Sequence, residues 1–515
     1  MTQQMDTQHR TGIWRLIARN VFSNFSGVLA STLTGFFLLP YILGHIGKND
    51  YGVWVLAAGV LGHLGLLEFG LSKTVVIKAS SQLAEGKDAS KLREITDPVF
   101  TVYAFSGLCV IVVVAALAAF SPGWFGIAAR DTSKFRLILW IAGINTALAF
   151  PMSVWDGLVK ALQDFHYLNA VRVFSNVVRI LGTVALLSRG AGVVGLVLLH
   201  ALISVIVWIL NIAWVRFRLG FAIFPAPSLK SLKRHGGVFQ LSSSIFFIQT
   251  SSIINNQTDK IILGIFGPVS WVAVYEVGNK INTYLRGYIN EVLGTITPAA
   301  SSAHSRGEPA VLREMFMTGT KLLLCLTGVV AMVFIVYSRE FMMLWVGEGY
   351  ELSVAVLLLL LMATLYEAQG MMGANILVSM ERVRFLVYLS FLAAGTNLVL
   401  SLLLVKHHGI LGVAAATLIT YFISTNILIF HICRNIRVDV RTFMARSVVP
   451  AAWPLPAAAL VFTFLKNQYP VHTWADMVVH AIGLAGSLIA VYALFSLTSR
   501  ERQFFIGLIR RKKPE

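Results

Sequence analysis

The sequence predicts an all-α polytopic membrane protein of about 14 transmembrane helices, arranged as two parallel six-helix halves plus an extra C-terminal helix pair. Three observations predict it. Of 515 residues, 57% are hydrophobic and only 13% charged, a surplus of apolar surface that no soluble core could bury. The apolar residues come in runs of roughly 20, the length that crosses a hydrocarbon core as a helix. The sequence also matches itself at a long, nearly constant offset, described below.

The spans fall near residues 21–43, 52–74, 96–120, 136–157, 168–188, 191–214, 238–266, 271–297, 316–337, 352–377, 385–405, 411–432, 448–466 and 476–497. With the N-terminus inside, about 29 Lys and Arg lie on the cytoplasmic side and about 8 outside, which is the bias expected of inner loops. The start, MTQQMDTQHRTGIWRLIARN, is polar and basic and lacks a small-residue cleavage site, so it reads as a retained cytoplasmic segment. Tyr41, Tyr51, Trp54, Trp124, Trp345, Tyr350, Tyr469 and Trp474 cluster at the opposite ends, where amphipathic rings prefer to sit. Both termini are therefore placed in the cytoplasm, and the net charge of +18 is assigned to the inner membrane face, with no nucleic acid as partner.

At an offset of 220–221 residues, Ile42-Leu43-Gly44 with Gly47 falls on Ile262-Leu263-Gly264 with Gly267. Ala79-Ser80-Ser81 with Gly86 falls on Ala300-Ser301-Ser302 with Gly307, Leu92-Arg93-Glu94 on Leu312-Arg313-Glu314, and Trp124 with Gly126 on Trp345 with Gly347. Repeated units of the same orientation are a transporter arrangement, with a cavity that opens to alternate sides. The expected organisation is residues 1–216 as the first six-helix half, 217–236 as a basic cytoplasmic linker, 237–433 as the second half, and 434–515 as the added helix pair and basic tail.

Polar residues inside spans mark the working surfaces, because such groups cannot face lipid. The first span carries Asn20, Asn24, Gly27, Ser31 and Thr34 at helical spacing, preceded by Arg19. Gln249, Ser252, Asn256 and Lys260 repeat the pattern in the seventh. The eighth is richest, with Glu276, Lys280, Thr283, Gly287 and Glu291 on one stripe flanked by Asn279, Arg286 and Asn290. Such residues also hydrogen-bond between packed helices, Glu276 and Lys280 can neutralise each other at i,i+4, and Asp259 and Lys260 near an outer end can snorkel. Glu68, Asp156, Arg179, Arg286, Glu291 and Glu367 have no oppositely charged partner at helical spacing.

Two roles follow from these residue types, each set against a structural salt bridge across helices. Arg19, Asn24, Asn256, Lys260, Lys280 and Arg286 are candidates for an anionic headgroup. Glu68, Asp156, Glu276, Glu291 and Glu367 are candidates for gating or for binding a coupling ion, H⁺ or Na⁺. No catalytic residues and no metal site are expected: GxxxxGK[ST], HExxH, CxxC and GxSxG are absent, His407-His408 has no third ligand, and Cys109, Cys325 and Cys433 are scattered. No cofactor is implied, and no outer segment exceeds about 15 residues, too little for an external polymerase or transferase site.

Three stretches carry a family resemblance: RNVFSNFSGVLASTLTGFFLLPYILGHIGKNDYGVWVLAAGVLGHLGLLEFGLS, NQTDKIILGIFGPVSWVAVYEVGNKI and MLWVGEGYELSVAVLLLLL. They resemble the polysaccharide transporter family, the O-antigen and exopolysaccharide flippases of the multidrug, oligosaccharidyl-lipid and polysaccharide exporter superfamily. The likeness runs over most of residues 15–435 and rests on Gly, aromatic and apolar patterns. It implies a V-shaped pair of six-helix bundles in the bacterial cytoplasmic membrane. These would move polyprenyl-pyrophosphate-linked oligosaccharide, with membrane lipid around the prenyl tail and polymerase and chain-length proteins as partners. A cation-coupled small-molecule extruder of the same fold is the alternative, and a membrane-embedded glycan polymerase or transferase a more distant one. The arginine-rich first span of the lipid II branch is missing; only Arg15 and Arg19 stand there.

Overall fold

Backbone amides in a bilayer must be satisfied within their own segment, so a chain this apolar folds as helices. The computed structural model describes residues 2–69, 71–86, 88–125, 127–223, 225, 227, 250, 257–499, 501 and 502, with side chains described throughout except at 2–28, 30, 73, 122 and 165. These residues form helices and turns, with no strand among them. In chain order the helices are α1 (Thr2–Leu64), α2 (Leu71–Glu85), α3 (Ala89–Trp124), α4 (Ala129–Ala161), α5 (Phe165–Leu187) and α6 (Gly192–Leu219). After residues 257–266, also helical, come α7 (Val269–Ser305), α8 (Pro309–Val336), α9 (Ser338–Val346), α10 (Glu351–Ser379) and α11 (Val383–Ile436). The chain closes with α12 (Val440–Gln468) and α13 (Trp474–Ser496).

Among the described residues, ten helical stretches are long and apolar enough to cross a membrane, so this is a multi-pass membrane protein. Two of the stretches are broken at glycine: α1 at Gly47 (φ 73°) and α11 at Gly409 (φ 55°, ψ −130°). Left-handed backbone is cheap only for glycine. At Gly409 the chain turns back on itself, since Asn397 Nδ2 donates to Thr417 Oγ1 at 3.1 Å and any Cβ on Gly412 would collide with the Leu404 carbonyl. The breaks match the expected span boundaries there. α7, the expected eighth span, is too polar to count among the ten, and most of the expected seventh lies outside the described residues.

Two local expectations differ from the structure. The second span was expected to run to residue 74, but a 3₁₀ turn over Gly65–Glu68 and left-handed Phe69 (φ 52°) interrupt it before α2. Three of the rings expected at the outer boundary, Tyr51, Trp345 and Tyr350, are buried, whereas Trp124, Tyr469 and Trp474 are exposed. Hydropathy does not distinguish a ring packed against helices from one at the interface.

Chain ends of helices are capped as their sequences require. Asp88 accepts from the Ser90 amide and hydroxyl at 2.8 and 2.7 Å ahead of α3, contacts that hold its carboxyl below the usual range. Thr473 and Asp476 form a capping box on α13, and Gly220 in left-handed conformation ends α6. Two compact units result: one spans Leu33–Glu276, and the other Val277–Glu515 with Met1–Thr32. Within the first, α4 packs on α2, α3 and α6; within the second, α10 packs on α8 and α11. Corresponding positions of the sequence repeat look alike in each: Ala79 and Ala300 are fully buried, as is Leu92, with Leu312 nearly so, and Gly86 and Gly307 both take positive φ.

Candidate functional site

In the unit holding residues 277–515, α7 presents two unlike polar faces. One is zipped to its neighbours. Thr364 Oγ1 of α10 donates to Asn282 Oδ1 at 2.6 Å, and the Thr297 hydroxyl lies 3.1–3.2 Å from the Asn375 amide. Between these levels the Arg286 guanidinium forms a two-pronged pair with Glu367, NH2 to Oε1 at 3.3 Å, and lies 5.3 Å from the centre of the Tyr421 ring. Bidentate, partly enclosed pairs of this kind are strong and rigid.

The other face is uncovered. It carries Lys280, Thr283, Gly287, Asn290, Glu291 and Gly294, with Thr283 and Asn290 exposed. A Cβ on Gly287 or Gly294 would meet nothing within 4 Å. Lys280 Nζ lies 6.0 Å from the Tyr284 ring centre. Glu291 is half-buried. A stripe with this many polar groups does not face hydrocarbon.

In the unit holding residues 33–276, charges are gathered by other means. Lys260 Nζ lies 3.1 Å from Glu276 Oε2, an ion pair between two helices that spacing along one helix does not reveal. Asp259 is buried and accepts from the Tyr275 hydroxyl at 2.5 Å; it does not snorkel. Close approach makes this possible, because a side chain on Gly59 would come within 3.2 Å of Lys260, and His63 Nε2 lies 3.3 Å from Thr258 Oγ1.

Farther along that unit, Asn211 Nδ2 donates to Asp156 Oδ1 at 2.5 Å while its Oδ1 accepts from the Tyr167 hydroxyl at 2.8 Å. Tyr167 stacks on Trp214, centroids 4.3 Å apart, and Trp214 Nε1 donates to Asp164 at 3.2 Å. Asp164 also pairs with Arg218 at 2.6 Å. Glu68 sits half-buried on the 3₁₀ turn before α2. Of the remaining candidates, Arg19 and Asn24 lie on α1 where side chains are not described, and Asn256 lies outside the described residues.

The structure thus joins Arg286 to Glu367 and Lys260 to Glu276, and keeps Lys280 and Glu291 on the open stripe. Asn282, Thr364, Asn375, Tyr421, Tyr167 and Asn211 were not singled out from the sequence. Apart from Tyr421, whose ring lies beside Arg286, their partners on other helices are 44 to 82 residues away, beyond the reach of helical spacing. No group of three metal-ligating side chains occurs among the described residues.

A sequence profile of the family described as "Polysaccharide biosynthesis protein" matches residues 46–355, more than half of the chain. The chain belongs to this family. The matched region of this polysaccharide biosynthesis protein includes Glu68, Asp156, Lys260, Glu276 and the whole polar face of α7. It is 23% identical over 500 residues to a protein of Haloferax volcanii named "Probable flippase AglR", across 95% of this chain and 97% of that one. Among solved structures it shares its fold with the lipid II flippase MurJ in an inward closed conformation, at TM-score 0.71 and 12% identity, covering 96% of this chain and all of that one. An inward-facing multidrug resistance transporter of the MATE family is similar too, at TM-score 0.64 and 14% identity, covering 79% of this chain and 98% of that one. The names of these relatives are those of flippases and a transporter.

Proposed function

We propose that the protein is a flippase that moves polyprenyl-pyrophosphate-linked oligosaccharide units from the inner to the outer leaflet of a bacterial cytoplasmic membrane, for surface polysaccharide assembly. The observation that carries this reading is the uncovered polar stripe of α7, in a family member that shares its fold with a lipid II flippase. A glycan and a pyrophosphate need a hydrated path, while the prenyl tail stays in lipid. The stripe supplies hydrogen-bonding groups together with glycines that leave room for a bulky head.

On this reading the two six-helix halves alternate in access, with both termini in the cytoplasm. Lys280 contacts the anionic headgroup, with Arg19, Asn24, Asn256 and Lys260 as further contacts. Glu291 is the leading carboxylate for a coupling cation, H⁺ or Na⁺. Arg286 and Glu367 already neutralise each other, so their role is to set the position of α7 against α10, or to open as a gate. Glu68, Asp156 and Glu276 are the remaining coupling candidates. Polymerase and chain-length proteins are the expected partners, because an exported repeat unit must next be joined to others.

The test is leaflet-resolved translocation of a polyprenyl-pyrophosphate oligosaccharide in proteoliposomes, with and without imposed H⁺ and Na⁺ gradients. Protein-dependent movement of the glycan is expected. Because the fold is shared with a MATE transporter, a second reading is a cation-coupled extruder of small molecules. Gradient-driven efflux of a cationic dye with no glycan movement would establish it.

A further inference from the structure

The sharpest imbalance of charge lies away from α7, on α5. Val173, Val177, Leu181 and Val184 form its exposed edge; Ser175, Arg179, Gly182 and Leu186 lie on the opposite, more enclosed face. That face packs on α6 so tightly that a Cβ on Gly182 would approach Leu199 to 2.8 Å. Arg179 lies one turn before Gly182 on α5 and His200 next to Leu199 on α6, so the same helix contact brings the two into one neighbourhood. The His200 ring in turn lies 5.5 Å from that of Trp54 on α1.

Among the described residues the Arg179 guanidinium has no acidic partner. Its Nε is enclosed without an acceptor, and no carboxylate of the described residues forms an ion pair with it. Four acids of this unit pair with other cations: Glu276 with Lys260, Asp164 with Arg218, and Asp50 and Asp131 with Lys134. Asp156 and Asp259 are held by Asn211 and Tyr275. His200 Nδ1 lies 2.8 Å from the Leu196 carbonyl, which makes it the donor and leaves Nε2 unused. Two further enclosed polar atoms without partners, Thr183 Oγ1 and Asn145 Oδ1, sit on α5 and on α4. An arginine stays charged even inside a membrane span, and an uncompensated charge there is unfavourable.

We propose that Arg179 is an oxyanion-binding residue, with His200 and Trp54 bordering its site, that takes a phosphate or carboxylate group of the transported lipid-linked glycan. The proposal rests on the flippase reading above. It places the leading anion contact on α5, whereas Arg286, the sequence's candidate on α7, is already satisfied by Glu367. The planar fork of an arginine fits two oxygens of one phosphate or carboxylate at once.

The experiment is thermal stabilisation of the purified full chain by geranylgeranyl pyrophosphate, by geranylgeraniol, and by an oligoglucuronate. Stabilisation by the pyrophosphate lipid alone assigns the site to the pyrophosphate bridge; by the oligoglucuronate alone, to acidic sugars. The alcohol is expected to have no Arg179-dependent effect. Arg179→Gln is expected to weaken the effective anion at least about 30-fold, and Arg179→Lys to weaken it less. Arg179→Met tests a purely structural role: without ligand it is expected to be as stable as the wild type or more so, whereas a structural arginine would leave the variant less stable. Unchanged anion affinity in the Gln or Met variant, loss of apo stability in Met with unchanged affinity, or no stabilisation of the wild type by either anion overturns the proposal. If anion binding depends on Arg179 but proteoliposomes move no glycan, the site stands and the flippase reading fails. If glycan moves equally well in wild type and in Arg179 variants, the reading stands and the site falls.

Discussion

The two compact units handle charge inside the membrane in different ways. In residues 277–515, three enclosed cations are matched to carboxylates: Arg286 to Glu367, Lys321 to Glu501 and Lys466 to Glu340. In residues 33–276, beside the Lys260–Glu276 pair, two enclosed acids, Asp156 and Asp259, are held by neutral donors, and Arg179 has no acidic partner among the described residues. A matched pair locks helices together and is strongly perturbed when one member is lost, whereas a carboxylate held by an amide or phenol can gain or lose its proton without stranding a partner charge. The first arrangement is suited to holding a frame, and the second to binding and release.

The largest effect that would sharpen this contrast is expected at Lys321, only 4% exposed on α8, whose Nζ lies 2.6 Å from Glu501. Glu501→Gln strands that ammonium and is expected to cost about 3–5 kcal/mol, read by thermal unfolding in detergent; a loss below 1 kcal/mol, by the same scale, would mean the pair behaves as a surface bridge. Next comes Glu367→Gln, expected to cost about 3 kcal/mol by leaving Arg286 unpaired, with most of it recovered in the Arg286→Met, Glu367→Leu double variant. An additive double variant would show that the two side chains do not act as a pair.

In the other unit the same kind of change should matter less. Asp156→Asn exchanges a carboxylate for an amide against a neutral partner, so a cost of about 1 kcal/mol is expected. If Asp156 carries the coupling ion, gradient-driven translocation falls in that variant while folding is retained; transport equal to wild type removes it from the coupling candidates. The smallest effect is at Gly287, where there is open space for a methyl group. Gly287→Ala should raise helix stability by up to about 1 kcal/mol and lower glycan translocation if the stripe receives the head. Higher stability with undiminished transport would place the path elsewhere.

How much of this was legible in the sequence depends on how local each signal is. The breaks at Gly47 and Gly409 fell between expected spans because a polar or glycine-bearing turn between two apolar runs is written in adjacent residues. Phe69 in left-handed conformation was not, since nothing about a phenylalanine announces φ 52°. The polar stripe of α7 was visible as a repeat every three or four residues, yet the side of that helix that meets α10 was not. Arg286 looked unpaired because Glu367 lies 81 residues away, and the Lys260–Glu276 pair joins two different helices, which helical spacing cannot show.

The sequence by itself determined that the chain crosses a membrane many times and which spans are polar, because hydropathy and helical period act over one or two turns. Only the tertiary structure decided which charges meet. Rotation of each helix about its axis is set by packing against neighbours far away in the chain, at close contacts such as Gly59 on Lys260 and Gly182 on Leu199. That rotation closes the Arg286–Glu367 pair, opens the α7 stripe, and leaves Arg179 without an acid among the described residues.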